Sequence, residues 1–449
     1  MHLHGTSAVN EQGELTIGGC SVVSLVEQFE TPLIVYDEQR IIDSIQAYQQ
    51  AFQKANIAYR LAYASKAFSS IAMCQMMKEH GLWLDVVSAG ELYTALRAGF
   101  SPAQIYMHGN NKTPEEIRMA IRSGIAFFVV DNFVEIEVLS ALLLEESRTA
   151  DILLRVSPGV DAHTHEYITT GQQDSKFGFD LGSDQVTKAI EQVMQHPQLN
   201  LLGLHVHIGS QIFDAFGFAE AARRMAKLWK SLHDHYPIAL RILNLGGGIG
   251  IRYTEEDDME PLQGTVYGVL QETMKAFSDL QLDLPLLMME PGRSLVADAG
   301  TTLYRVGSRK EIPGVRNYLA VDGGMTDNPR LALYGSKYEA CIANKMHEDP
   351  TDLVSIAGKA CESGDMLIWD ARLAPSQPGD LLAISCTGAY NYSMASNYNR
   401  IPRPAVVFVK NGQARLVVQR ETLEDLVRLD CGYATTTTPE AVSVSSSRA

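Results

Sequence analysis

Ala58-Tyr59-Arg60-Leu61-Ala62-Tyr63-Ala64 is a mostly apolar run of strand length, and Ser65-Lys66 closes it. Downstream, the same kind of run recurs at Leu82–Val87, Ile105–His108, Phe127–Val130, Ile152–Val156, Leu201–His207, Ile242–Leu245 and Leu286–Met289. Between these runs lie stretches with helical spacing of apolar residues, among them Ser69–His80, Gly90–Ala98, Thr113–Ser123 and Phe218–His235. Thr113-Pro114-Glu115-Glu116 reads as a helix start, with a capping hydroxyl, Pro at the first position and acids in the first turn. Eight strand–helix alternations predict an α/β fold in which a closed (β/α)8 barrel of the TIM type is favoured over a doubly wound sheet.

After Arg293 the pattern changes. Tyr318–Asp322, Leu381–Ser385, Ala405–Val409 and Ala414–Val418 are strand-like runs separated by Gly, Pro and Asn turns, which predicts a mainly β unit. Leu15–Ile17 and Leu33–Tyr36, ahead of the barrel, are also strand-like and are expected to pair with the β unit. The expected divisions are 1–40 for that N-terminal segment, 41–292 for the barrel and 293–434 for the β unit. The Thr-, Ser- and Ala-rich tail 435–449 is expected to be disordered.

Composition narrows the function. Of 449 residues, 46% are hydrophobic and 20% charged, as in an ordinary globular chain. The net charge of −16 argues against nucleic acid or an anionic membrane as partner. No apolar run is long enough to span a bilayer, and the N-terminus has no basic-then-apolar leader. The six scattered cysteines form no metal-ligand or C-x-x-C spacing, which fits a reducing cytoplasm.

In a barrel, chemistry sits at the C-terminal ends of the strands. Reading those ends in order gives Lys66, Asp85, His108, Arg155, His207, Gly246-Gly247-Gly248 and Glu290-Pro291-Gly292-Arg293. A desolvated lysine is a nucleophile able to form a Schiff base. Glycines directly after the seventh strand, with Ser210 nearby, suit a phosphate. Glu290 suits a protonated pyridine nitrogen, and His207 could stack on such a ring. These are the groups that a pyridoxal phosphate site needs. A salt bridge to Arg293 or Arg155 is the plain alternative for Glu290. His205 and His207 face the same side of a strand, but no third ligand stands at suitable spacing, so no metal is expected. His163 and His165 occupy a polar, loop-like stretch that suits an active-site loop or a solvated one. In the β unit, Arg330 suits a carboxylate and Glu362 an ammonium, Cys361 could deliver a proton, and Tyr334 and Tyr390 lie in the same loops.

Tyr63-Ala64-Ser65-Lys66-Ala67, His205-Val206-His207-Ile208-Gly209-Ser210-Gln211, Gly246-Gly247-Gly248, Glu290-Pro291-Gly292-Arg293, Asp322-Gly323-Gly324-Met325, Cys361-Glu362-Ser363 and Gly388-Ala389-Tyr390 follow one another in this order. With these motifs the chain resembles the group IV (fold type III) pyridoxal phosphate decarboxylases from about Thr31 to Asp430. Leu331 departs from that pattern, which commonly has proline after the arginine. The resemblance implies a barrel plus a β unit built from both chain ends, and decarboxylation of meso-2,6-diaminopimelate to L-lysine and CO2. It also implies a homodimer in which Cys361 and Glu362 serve the neighbour's site. Lys66 would hold the cofactor, Arg293 and Arg330 the distal carboxylate, and Glu362 the distal ammonium. Two alternatives stay open: a decarboxylase of another basic amino acid, such as D-ornithine, D-lysine, L-ornithine or arginine, and a non-catalytic relative that binds pyridoxal phosphate.

Overall fold

The structure is a computed structural model that describes residues 1–160, 175–213 and 215–433. His163, His165 and the tail from Thr435 lie outside the described residues. Eight parallel strands close on themselves: Tyr59–Ala64, Trp83–Val86, Ile105–Met107, Phe127–Val130, Ala150–Ser157, Leu199–Val206, Ile242–Asn244 and Leu286–Met289. Closure comes from Leu287–Met289 pairing with Tyr59–Leu61, and from Phe128–Val130 pairing with Ile152–Leu154. The expected barrel is therefore present, with strand ends displaced by a residue or two.

Apolar side chains from most of the strands, including Ala62, Tyr106, Phe127, Leu153, Ile242 and Met288, fill the barrel interior. Helices cover its outside. Thr113 caps the helix Pro114–Ser123 by accepting the Glu116 N–H, and the Glu116 side chain returns a bond to the Thr113 N–H. Gly124, at φ 73°, ends that helix in the left-handed region.

Most of the remaining strands form a mixed sheet. Its long strand Gly300–Ile312 pairs antiparallel with Arg316–Val321, Leu381–Ser385 and the N-terminal strand Leu33–Asp37. Leu33–Asp37 also runs parallel to Ala405–Lys410. Leu15–Ile17 instead pairs with Ala8–Val9 and Cys20–Ser21 in a small sheet of its own. The turn at Gly18 and Gly19 folds the chain back there, and Leu15, Ile17, Val22 and Leu25 pack on Leu33, Val35 and Val407. The chain passes from the last barrel strand through the short helix Arg293–Val296 straight into the mixed sheet. That passage sets β-unit loops against the barrel's C-terminal rim. No helix among the described residues is long and apolar enough to cross a membrane.

Candidate active site

A cavity of about 320 Å³ opens at the C-terminal rim. Lys66, Asp85, Arg155, His207, Ser210, Gly247, Gly248, Glu290, Gly292, Arg293, Arg330, Tyr334 and Tyr390 all line it. Gly246 lies just behind, in the same turn. Cys361 and Glu362 do not line it. Both are exposed, in a loop whose ends are held by Asp365, which accepts the Met325 and Ala360 N–H groups at 2.6 and 2.7 Å.

Glu290 is the most heavily bonded group of the site. Its Oε1 accepts from Tyr106 Oη at 2.8 Å, His108 Nε2 at 2.8 Å and Asn244 Nδ2 at 2.6 Å, and its Oε2 accepts from His205 Nε2 at 3.1 Å. Burial alone would raise its pKa. His108, by attraction and by hydrogen bonding, and His205, by donating its N–H, overcome burial and hold the carboxyl well below the usual range. It is a buried, ionised carboxylate at the cavity wall. Neither Arg293 nor Arg155 takes part, so the alternative of an arginine salt bridge is not what the structure shows. One ligand-capable atom from each of His108, His205 and Glu290 lies within 4.8 Å of the others, and these atoms are engaged in the hydrogen bonds just described.

Glycine is required in the turn after the seventh strand by close backbone approach. A Cβ on Gly247 would stand 2.3 Å from the Glu290 carbonyl oxygen, and one on Gly248, at φ 116°, would stand 2.4 Å from that of Gly209. Two of the turn's N–H groups are used internally: Gly246 donates to Asn244 Oδ1 at 2.9 Å and Gly247 to His207 Nδ1 at 3.2 Å. Gly247, Gly248 and Ile249 face the cavity beside Ser210. His207 therefore accepts at Nδ1. Burial, with Lys66 and Arg155 nearby, pushes its pKa well down, so the ring is neutral.

Two arginines complete one wall. Arg293 donates through Nη2 and Nε to Ser210 Oγ, at 2.9 and 3.2 Å, and through Nη1 to Tyr253 Oη at 2.6 Å. Arg330 donates through Nη1 to Tyr253 Oη at 2.8 Å and Tyr338 Oη at 3.1 Å. Each arginine is only 6% exposed, and neither pairs with a carboxylate of the described residues. Buried charges are costly unless an opposite charge meets them. The wall is thus built for an anionic group brought from outside. Tyr390 covers it, its ring centroid 4.9 Å from the Arg293 guanidinium. The Tyr390 N–H is held by the Ala67 carbonyl at 2.9 Å, which ties this β-unit loop to the end of the first barrel strand.

Lys66 differs from expectation in one respect. It lines the cavity, but its side chain is exposed, because the residue stands at the open rim while Ala67 and Phe68 turn inward. Tyr106, Asn244 and Tyr253 belong to none of the sequence motifs, and His205, considered above only as a metal ligand, is a hydrogen-bond partner of Glu290. Asn244 carried a signal: it is a polar residue at the end of a barrel strand. Tyr106 looks like any core aromatic.

The residues present fit pyridoxal phosphate: an amine at the rim, a glycine turn with a hydroxyl and a guanidinium, and an ionised carboxylate opposite. Asp85 adds a buried Oδ1 that no group among the described residues hydrogen-bonds. The comparisons agree. The family model described as "Pyridoxal-dependent decarboxylase, pyridoxal binding domain" matches residues 39–297, more than half of the chain, and the chain belongs to that family of pyridoxal-dependent decarboxylases.

Relatives that match it along nearly their whole length include diaminopimelate decarboxylases. That of Bacillus subtilis (strain 168) is 57% identical over 97% of this chain and 99% of its own length. That of Staphylococcus aureus (strain COL) is 47% identical over 94% and 99%. The crystal structure of the M. jannaschii diaminopimelate decarboxylase in complex with L-lysine superposes with a TM-score of 0.89 at 35% identity, covering 95% of this chain and 98% of that one.

Proposed function

We propose that the protein removes the carboxyl group at the D-centre of meso-2,6-diaminopimelate, with pyridoxal phosphate as cofactor, and releases L-lysine and CO2. The observation that carries this reading is the pair of buried arginines, Arg293 and Arg330, that meet no carboxylate of the described chain. A substrate with an amino acid group at each end brings a second carboxylate to them. The diaminopimelate decarboxylases that match along nearly the whole chain support the same substrate.

When bound, pyridoxal phosphate supplies an electron-withdrawing ring that takes up the charge left as CO2 departs. Lys66 would anchor it through its aldehyde. The Gly246-Gly247-Gly248 turn and Ser210 would hold its phosphate, with Arg293 steadying Ser210 through its two N–H bonds to Oγ, and Gly292 leaves room beside Ala64 and Ala67. Glu290, kept ionised, would hold a proton on the ring nitrogen. His207 would lie against the ring, with Asp85 and Arg155 beside it. Arg330, Arg293, Tyr334 and Tyr390 would orient the distal end of the substrate.

Cys361 and Glu362 stand outside the cavity of their own chain. We assign them to the site of a second copy in a homodimer, where Glu362 would bind the distal ammonium and Cys361 would return a proton to the substrate carbon. The barrel, residues 41–292, would hold the cofactor, and the β unit, 293–434 with 1–40, would supply the loops that finish the site. Six free cysteines suit a reducing cytoplasm. The test is chiral analysis of the product formed from meso-2,6-diaminopimelate by the purified holoenzyme. L-lysine with one equivalent of CO2 is expected; D-lysine, or no amino acid product, contradicts the reading.

A further inference from the structure

We infer that Tyr253 is a positioning residue that sets the spacing of Arg293 and Arg330 so that they grip a single remote carboxylate. The inference deepens the proposed reaction and rests on it. Tyr253 is 7% exposed and does not line the cavity. Its hydroxyl oxygen accepts one N–H from each guanidinium, at 2.6 Å from Arg293 and 2.8 Å from Arg330. The two arginines come from different places, one from the helix after the last barrel strand and one from the helix Arg330–Tyr334 of the β unit. A single oxygen therefore joins the two halves of the binding wall.

Like charges this close repel each other. A phenol oxygen can accept hydrogen bonds, and here it takes one N–H from each side. Tyr253 is itself fixed. Asp257 Oδ2 accepts the N–H groups of Tyr253 and Thr254, both at 2.9 Å, and the Tyr253 ring meets that of Tyr338 edge-on at 5.7 Å. The Arg330 guanidinium lies 5.2 Å from the centroid of the Tyr253 ring. The oxygen is thus held from below while the remaining N–H groups of both arginines stay available to a ligand. Without it, repulsion spreads the pair. That loss falls on binding of the remote carboxylate in substrate and transition state alike, so it appears in KM and not in kcat.

The test is Tyr253→Phe in the holoenzyme, which keeps the ring and removes only the oxygen. KM for meso-2,6-diaminopimelate should rise about tenfold or more, the scale of a hydrogen bond to a charged group, with kcat changed less than about threefold. Calorimetric binding gives a readout that does not need turnover. L-lysine, which carries the remote carboxylate, should bind about tenfold or more weaker to the variant. 1,5-Diaminopentane, which lacks the carboxylate, should bind as it does to the unaltered protein. Tyr338→Phe, which leaves Arg330 its bond to Tyr253, should weaken L-lysine less than Tyr253→Phe does. Equal weakening of both ligands, a fall in kcat with KM unchanged, or unaltered L-lysine affinity in a folded variant overturns the inference. Should the unaltered enzyme not decarboxylate meso-2,6-diaminopimelate, the proposed reaction fails, and the two calorimetric ligands still decide the role of Tyr253.

Discussion

His205 Nε2 and Glu290 Oε2 meet at 3.1 Å inside the barrel, and the two side chains hold unlike charge states: a neutral imidazole and an ionised carboxylate. Burial lowers the His205 pKa to about 4, although Glu290 pulls it upward. The imidazole therefore acts as a donor, one of four on a carboxylate that cannot escape into water.

That arrangement fixes what Glu290→Gln should do. An amide cannot stay ionised, and its NH2 would face groups that are themselves donors. Bound pyridoxal phosphate should be retained, because Lys66 and the glycine turn are untouched, while kcat falls by about a hundredfold or more. Cofactor content by absorbance and single-turnover CO2 release check this. Turnover near that of the unaltered enzyme would mean that another group tunes the ring.

Acid should weaken the fold through the same pair. Between pH 6.5, the ordinary imidazole pKa, and about 4, unfolded chains bind a proton that folded His205 refuses, so stability falls as pH drops through that window. Glu290 acts with the same sign: its pKa is depressed in the fold, so its contribution is present above the ordinary carboxyl value and is lost as pH falls toward the folded one. Denaturant unfolding of His205→Gln from pH 7 to 4 should show a shallower fall, by about one proton. An unchanged slope would show that His205 is not the titrating group.

Lys66 should be the residue that carries the cofactor. Borohydride reduction of the holoenzyme followed by peptide mapping should place the pyridoxyl label on Lys66, the amine at the cavity rim. Label on Lys112 would be the surprising outcome, since that ammonium is committed to Glu135 at 2.6 Å and to two backbone carbonyls.

Much of this was legible in the sequence, because strand ends in a barrel converge on one rim. The eight apolar runs located that rim, and the polar residues closing them proved to be neighbours across it. What was hidden depends on contacts between strands. Tyr106 and Asn244 lie on the third and seventh strands and meet only at Glu290, just after the eighth, so no local pattern joins them. Tyr253 follows the glycine turn in an irregular stretch, and its tie to Arg330 spans 77 positions of chain. Strand position locates Lys66 at the rim without saying which way the rim opens.

Cys361 and Glu362 are exposed in their own chain, and in the proposed homodimer they would serve the site of the second copy. Mixing inactive Lys66→Ala with inactive Cys361→Ala and allowing exchange should restore activity. With random pairing about half the dimers are mixed and each has one intact site, so roughly a quarter of full activity returns. Exchange demonstrated by mass with no recovery would mean that each chain works alone.

The central claim is that this rim decarboxylates a substrate with an amino acid group at both ends. Its most direct test is kcat/KM for CO2 release across meso-2,6-diaminopimelate, L-lysine, D-lysine, L-ornithine and D-ornithine under one set of conditions. The buried arginine pair predicts that meso-2,6-diaminopimelate exceeds every other substrate by about a hundredfold or more, the scale of leaving paired charges unmet. A comparable or larger value for any of the four substrates with a single carboxylate would contradict it.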